Sequence, residues 1–107
     1  MTLVVPWAAG GSTDAVARIL AQKLSTDTGR SFVVDNRTGA NGTMGFNSVA
    51  RARADGYTML MGNHGPMSVN PSLFRNLRTN PETALEPIGL VADAPLVVVV
   101  GSRSQAT

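Results

Sequence analysis

Short apolar strand patterns alternate with helical patterns along the chain, and this alternation most limits what it can fold into. Strands and helices that follow one another at this spacing are typical of a parallel sheet covered by helices. The strand segments are almost wholly apolar, as expected where a sheet is buried on both faces. The predicted strands are residues 3–5, 31–35, 57–61, 88–91 and 96–100. The sequence therefore predicts an α/β fold with a mostly parallel sheet flanked by helices.

The first helix is predicted between the turn that follows the first strand and Gly29, which is a natural stop signal. Its start is marked by three consecutive candidate N-caps, Ser12, Thr13 and Asp14. Apolar side chains recur behind these residues at helical spacing, which is typical of a helix with one buried face. They are Val16, Ile19, Leu20 and Leu24.

A second helix is predicted to begin at Thr43, whose hydroxyl could cap it, and to be closed by Asp55 and Gly56. Its apolar stripe would consist of Met44 or Phe46, Val49 and Ala50. A short helix is predicted over residues 71–76, and residues 79–86 are expected to be irregular. The sequence shows no internal repeat and no low-complexity tract.

Composition excludes several classes of protein. A chain of 107 residues has room for one domain with a modest core. The nine basic residues are scattered, whereas nucleic-acid binding normally requires a clustered basic footprint, so no nucleic-acid partner is predicted. The absence of cysteine excludes disulfides and thiolate zinc sites. The longest apolar run, residues 95–100, is far too short to cross a bilayer.

Loops that follow the strands are the expected place for a ligand, because ligands of open α/β sheets bind beyond the carboxyl ends of the strands. Three such loops, residues 7–14, 36–43 and 62–70, all contain glycine. The first two lead into predicted helix starts, which offer unpaired N–H groups and a partial positive charge to a carboxylate. Glycine-rich turns also occur in α/β proteins without a ligand there. Trp7, just past a strand end, is predicted to line a cleft.

The same glycines do not fit a nucleotide site. The dinucleotide fingerprint G-x-G-x-x-G is absent from the first loop, and Asp14 would repel a pyrophosphate. The phosphate-binding loop needs Lys followed by Ser or Thr, and residues 39–45 contain no Lys. His64 is the sole histidine and the carboxylates form no acid/base pair or dense cluster. The sequence therefore predicts no catalytic residue, no metal and no cofactor.

Several motifs resemble the Bug receptors, the substrate-binding proteins of tripartite tricarboxylate transporters, in the same order along the chain. Residues 3–14 resemble the opening signature of that family, which typically reads V-P-[FY]-[AP]-[AP]-G-G-x-x-D. The further matching segments are residues 33–42, 54–62, 69–74 and 86–92. The resemblance implies a periplasmic, two-lobed binding protein that closes on a small carboxylate ligand and works with membrane transporter subunits.

The family holds its carboxylates largely by backbone amides, hydroxyls and water, which agrees with the donors found in the loops. Carried over by position, the resemblance implies ligand contacts from the first loop and from the loop after the third strand. The implied ligand-binding residues are Trp7, Ala9, Gly10, Ser12, Thr13, Asp14, Asn63, His64, Gly65 and Pro66.

Two positions depart from the family pattern. The loop after the third strand commonly reads T-S-G-T in the family, whereas Asn63, His64, Gly65 and Pro66 stand here. Proline has no N–H to donate, although Asn and His side chains can donate. Trp7 replaces the usual Phe or Tyr. The ligand is therefore expected to differ from those common in the family.

The length of the chain is a larger departure, because family members are about three times as long. Residues 1–100 are predicted to form the first lobe of a type II-like two-lobed binding protein, and residues 101–107 the start of a crossover to a second lobe. Residues 1–5 resemble no secretory signal, so a periplasmic location is implied by the family resemblance alone, and a cytoplasmic location is expected if this chain is the complete product.

Two other functions remain open. A remnant lobe that binds no solute could persist as a dimer through an open sheet edge, since an uncovered edge promotes association. A small α/β enzyme is the third hypothesis, and loss of turnover on changing His64 would support it. The receptor interpretation predicts that the turns after the first and third strands share one hollow.

Overall fold

The computed structural model of the protein describes residues 1–77 and 79–103. Three strands, β1 to β3, alternate with helices α1 and α2 in the predicted order, and two short helices, α3 and α4, follow them. The strands are β1 (Thr2–Val5), β2 (Val33–Asn36) and β3 (Thr58–Leu60). The helices are α1 (Ser12–Thr28), α2 (Thr43–Ala50), α3 (Asn70–Leu73) and α4 (Pro81–Ala84).

The sheet is parallel throughout, with β1 in its centre and the strand order β2-β1-β3. Val5 lies beside Asn36 of β2, and Val4 lies beside Leu60 of β3. All three carboxyl ends therefore meet at one edge of the sheet. The predicted α/β fold with a parallel sheet is confirmed, although β2 and β3 are shorter than the patterns indicated.

The core lies between the sheet and α1 on one side and α2 on the other. Central strand β1 is buried from Leu3 to Val5, as expected for a strand covered on both faces. Small residues of α1 let that helix approach the sheet closely, and larger side chains of α2 fill the opposite face. The buried apolar residues outside β1 are Ala17, Ala21, Phe46, Val49 and Met61.

Helix α1 ends where the sequence predicted and begins in a different way. Gly29 adopts the left-handed conformation with φ of 67°, and its N–H donates to the Ser25 carbonyl. The prediction that Ser12, Thr13 or Asp14 caps the helix was wrong. Gly11 occupies the N-cap position without a side-chain hydrogen bond, because the Asp14 carboxylate turns back to the Gly10 amide instead.

Helix α2 packs directly on the chain that leaves β1. Its buried face consists of Gly45, Phe46 and Val49, whereas Met44 is exposed. The prediction that Thr43 caps this helix was wrong, since Gly42 is the N-cap and the Thr43 hydroxyl accepts a hydrogen bond from Asn70. The helix ends at Ala50, well before the predicted turn at Asp55 and Gly56.

The second half of the chain differs most from the prediction. The segment expected to be irregular contains α4, which Asn80 caps by accepting from the Glu82 amide. The helix predicted over residues 71–76 is α3, and a π-helical turn (Gly65–Val69) precedes it. The two strands predicted over residues 88–91 and 96–100 are absent, and side chains such as Val98 are 96% exposed. A strand forms only where a neighbour accepts its hydrogen bonds, and the described residues supply none here.

The end of the described chain carries little regular structure. Residues 101–103 form no helix or strand, and residues 104–107 of the predicted crossover lie outside the described residues. In the described ranges, no helix has the length and hydropathy needed to span a membrane.

Candidate functional site

A cleft of about 700 Å³ lies at the edge where the three parallel strands end. The chain that follows β1, the turn after β2 and the segment after β3 all contribute to its wall. One side is also lined by residues 89–94 and 96, which belong to a segment without regular secondary structure. The polar or small lining residues are Ser12, Thr13, Asn41, Gly62, Asn63, His64, Gly65, Gly89, Ala92, Asp93 and Ala94. The larger apolar ones are Trp7, Val16, Leu60, Met61, Val69, Leu90, Val91 and Leu96.

The N-terminus of α1 faces this cleft through Ser12 and Thr13. The first hydrogen bond of the helix comes from the Ala15 amide, which donates to the Gly11 carbonyl at 3.0 Å. Within the described part of the chain, the amides of Ser12, Thr13 and Asp14 have no acceptor. These donors and the helix dipole make the start of α1 suited to a carboxylate.

Trp7 forms the inner wall of the cleft. Its ring packs against the apolar core and lies next to the turns that follow β2 and β3. A Cβ added at Gly42 would lie 3.4 Å from Trp7 Cζ2, and one added at Gly65 would lie 3.5 Å from the same atom. The indole Nε1 is buried and has no hydrogen-bond partner among the described residues.

The segment after β3 provides the opposite polar wall. Asn63 and the exposed His64 line the cleft, and the Asn63 side-chain oxygen accepts from the Gly65 amide at 3.2 Å. Pro66 is buried and does not line the cleft; it contacts the turn at Gly42 instead. This wall therefore offers side-chain donors from Asn63 and His64, whereas Pro66 has no N–H to donate.

Asp14 stands behind the cleft and is only 2% exposed. Its Oδ2 accepts from Arg18 Nε and from the Gly10 amide, both at 2.9 Å, and its Oδ1 accepts from Asn36 Nδ2 at 2.9 Å. The hydrogen bond from Arg18 is the main cause that holds the pKa of Asp14 well below its usual range, followed by those from Gly10 and Asn36. Asp14 thus ties the first loop to the end of β2.

Charge within the cleft is sparse. None of the lining residues is a Lys or an Arg, as far as the structure describes the chain, and Asp93 is the one carboxylate among them. A negatively charged ligand would therefore be held by amides, hydroxyls and side-chain amides rather than by a guanidinium. This matches the mode of binding that the resemblance implied.

The predicted site residues divide into two groups in the structure. Six of them line the same cleft: Trp7, Ser12, Thr13, Asn63, His64 and Gly65. The other four, Ala9, Gly10, Asp14 and Pro66, do not line it. Gly10 and Asp14 bond to each other, Ala9 is exposed, and Pro66 supports the turn at Gly42. The turns after β1 and β3 thus share one hollow, as the receptor interpretation requires.

Asn41 and Asp93 are polar lining residues that were not among the predicted site residues, and Asn41 lies in one of the three predicted ligand loops. Its loop was expected at the ligand edge, but the residue was taken only as one of several turn formers. Its φ of 51° places it in the left-handed region, which Asn tolerates better than most residues. The available signal was an Asn in a turn that Gly39 and Gly42 bracket, just after a strand.

No three side chains of His, Cys, Asp or Glu come together as possible metal ligands in residues 1–77 and 79–103. The described residues likewise place no carboxylate beside His64 at hydrogen-bond distance.

Comparison with known proteins decides the family. Residues 16–107 match the sequence model of a protein family that is described as the tripartite tricarboxylate transporter family receptor. The chain belongs to this family. BugT of Bordetella pertussis is 39% identical over 102 residues, which cover 94% of this chain and 31% of that protein. A protein of Bordetella bronchiseptica is also 39% identical over 102 residues, and the chain spans 30% of its length.

Solved structures of receptors agree with the observed fold. The periplasmic binding protein BugD shows 45% identity and a TM-score of 0.74, over 83% of this chain and 29% of BugD. MatC of Rhodopseudomonas palustris, solved with bound malate, shows 35% identity and a TM-score of 0.81, over 85% of this chain and 31% of MatC. A further R. palustris protein, solved with adipate, shows 43% identity and a TM-score of 0.74, over 78% of this chain and 28% of that protein.

Proposed function

We propose that this chain is part of a periplasmic solute-binding receptor that binds a small carboxylate and delivers it to a tripartite tricarboxylate-type transporter. The observation that carries the proposal is the shared cleft between the start of α1 and the segment after β3. Two similar structures were solved with the dicarboxylates malate and adipate, which supports a carboxylate as the ligand class.

The unpaired amides at the start of α1 supply the main carboxylate grip in this proposal. Ser12 and Thr13 line a cleft that has no Lys or Arg in its described lining, so the positive end of the helix dipole has no competing cationic side chain there. Six cleft residues are proposed to contact the ligand directly. They are Trp7, Ser12, Thr13, Asn63, His64 and Gly65.

Residues 1–100 are proposed to act as the first lobe of a two-lobed binding protein, with residues 101–107 leading toward the second. The similar receptor structures support this because the chain spans 27–31% of their length. Pocket sites bury most of a ligand's surface, so a second lobe would add the missing wall. No enzymatic role is proposed, since the family is one of receptors.

Ser12→Pro tests the proposal by removing one amide donor from the start of α1. Proline is tolerated at the first position of a helix, and the extended backbone of Gly11 is compatible with a following proline. Ser12→Ala is the matched control, because it removes the hydroxyl and keeps the amide. Binding of malate and adipate would be followed by isothermal titration and by thermal shift.

We expect Ser12→Pro to weaken binding about tenfold, which corresponds to the loss of one charge-assisted hydrogen bond of roughly 1.5 kcal/mol. Ser12→Ala should stay closer to wild type. Failure of every carboxylate to shift the melting temperature of the wild-type protein would contradict the proposal. Equal affinities of wild type and Ser12→Pro would show that the start of α1 is not the carboxylate site.

A second candidate is a lobe that binds no solute and self-associates through its sheet edge. The exposed apolar side chains of residues 88–100 lie outside the sheet and favour self-association in general, since Ile88 is 86% exposed. A melting temperature that rises with protein concentration, together with no response to any acid, would support this candidate over the receptor.

A further inference from the structure

Asn70 is a fully buried polar residue that lies outside the cleft and behind its wall. Its side chain is 0% exposed, and the carboxamide makes three hydrogen bonds to the turn that follows β2. Asn70 Nδ2 donates to the Asn41 carbonyl at 3.1 Å and to Thr43 Oγ1 at 3.0 Å. Asn70 Oδ1 accepts from Asn41 Nδ2 at 2.8 Å. Both amide protons and one lone pair are therefore used by a single neighbouring turn.

The backbone of Asn70 connects to the other wall of the cleft. Its N–H donates to the Gly65 carbonyl at the start of the π-helical turn. Gly65 borders the Trp7 ring, as Gly42 does from the turn after β2. One buried residue thus joins the two segments that approach the Trp7 ring.

The turn that Asn70 holds has an unfavourable backbone. Ala40 and Asn41 have φ of 47° and 51°, in the left-handed region that non-glycine residues rarely adopt. Such a conformation persists only where the surroundings over-determine it, and it is commonly found where a binding residue must be aimed. The three hydrogen bonds between Asn70 and this turn, two donated by Asn70 and one donated by Asn41, are polar tertiary contacts that hold it.

We propose that Asn70 is a positioning residue of the ligand cleft. Its carboxamide fixes the 39–43 turn to the 62–70 segment, so that Asn41 faces the cleft and the Trp7 ring stays in contact with both. The role rests on the proposed function, because the cleft residues are those of the carboxylate site. Without Asn70 the turn would lose its polar tertiary contacts and keep only the packing of Pro66 on Gly42, so Asn41 and Trp7 would lose their fixed places on the wall.

The test compares variants that break the hydrogen bonds between Asn70 and the 39–43 turn with variants that keep them. Asn70→Asp replaces the two-proton donor with an acceptor, and Thr43→Val removes the acceptor hydroxyl. Thr43→Ser keeps that hydroxyl and is the conservative rescue. Asn80→Asp is the matched control for the amide-to-acid change, because Asn80 caps α4 only through its oxygen. All variants are made in the full chain and checked for equal far-UV circular dichroism.

Trp7 is the sole tryptophan, so its fluorescence measures how accessible the ring is to solvent in the absence of any ligand. We expect acrylamide quenching of Trp7 to rise about twofold in Asn70→Asp and Thr43→Val, as a locally opened wall admits the quencher. Thr43→Ser and Asn80→Asp should match wild type. Binding of malate or adipate should weaken about tenfold in the same two variants, a factor equal to roughly 1.4 kcal/mol.

A lowered melting temperature with wild-type quenching in both Asn70→Asp and Thr43→Val would overturn the proposal, because it would show a role in stability alone. Equal quenching in Thr43→Val and Thr43→Ser would overturn it as well. If the wild-type protein binds neither acid, the proposed function fails, and the quenching comparison still decides whether Asn70 holds the wall.

Discussion

Gly45 lies where α2 makes its closest approach to the chain leaving β1, and its replacement by Ala is the sharpest test of the packing. A Cβ at this position would lie 2.7 Å from the Arg37 carbonyl oxygen, 2.8 Å from Pro6 Cβ and 2.9 Å from Pro6 Cα. Each of these separations is well inside van der Waals contact. The neighbours are main-chain atoms and a proline ring, so none of them can rotate away.

Two opposing effects set the size of the change. Alanine in a helix interior is favoured over glycine by about 1 kcal/mol. Overpacking a close contact costs about 1–3 kcal/mol, and rigid neighbours place this site at the upper end. We therefore expect Gly45→Ala to lower the free energy of unfolding by about 2 kcal/mol, the clash exceeding the gain in propensity. For a domain of this size that corresponds to a fall in melting temperature of about 10 °C.

Urea unfolding followed by Trp7 fluorescence and far-UV circular dichroism would measure this change. The midpoint should fall while the slope with urea stays constant, since the same surface is exposed on unfolding. Gly89→Ala is the control, because a Cβ there meets nothing within 4 Å. A Gly45→Ala protein as stable as wild type, or more stable, would refute the close approach of α2 and β1.

Two further predictions follow from the turn after β2 and from the first loop. Ala40→Gly should raise the free energy of unfolding by up to about 1 kcal/mol, seen as a higher urea midpoint, because glycine adopts the positive φ of Ala40 without strain. An unchanged or lower midpoint would contradict the left-handed conformation of Ala40. The pKa of Asp14 lies below its unfolded value of 3.8, chiefly through the hydrogen bond from Arg18. The ionised Asp14 therefore stabilises the fold fully above pH 3.8, and this stabilisation is lost as the pH falls through the lowered pKa of the folded state. Asp14→Asn should accordingly lose less stability than wild type between about pH 5 and about pH 2, measured by the urea midpoint, and equal losses would exclude the Asp14 contacts.

The sheet and α1 were predictable because their signals are local. Three apolar segments with glycine-containing turns indicated parallel strands, and Gly29 marked the end of α1 through its backbone freedom. The common edge of the strands follows from parallel pairing, so the shared cleft of the first and third loops was predictable too. These features depend on periodicity and on turn chemistry alone.

Tertiary partners decided the features that the sequence analysis missed. Aspartate is a residue type that favours the N-cap position, but the carboxylate of Asp14 accepts hydrogen bonds from Arg18 and Asn36 instead. Asn41 and Asn70 are 29 residues apart, and no local pattern connects an Asn in one loop with an Asn in another. The start of α4 is a different case, because Asn80 followed by a proline is a helix-start signal that could have been recognised.

The apolar segment at residues 96–100 shows the limit of propensity. A run of valines favours a strand, and the structure leaves these residues exposed, without regular secondary structure and without a neighbouring strand. Hydrophobic pattern thus indicates which residues can form a strand, whereas pairing depends on a partner elsewhere in the protein.

The central position of β1 has a consequence for biosynthesis. Of the three described strands, β1 is synthesised first and is the one with which both of the others pair, whereas β2 and β3 do not pair with each other. One edge of Thr2–Val5 can pair with Val33–Asn36, but the other edge stays unpaired until Thr58–Leu60 has been synthesised. Non-local parallel pairing of this kind closes slowly, so the free edge of β1 is open to chaperones until β3 has emerged.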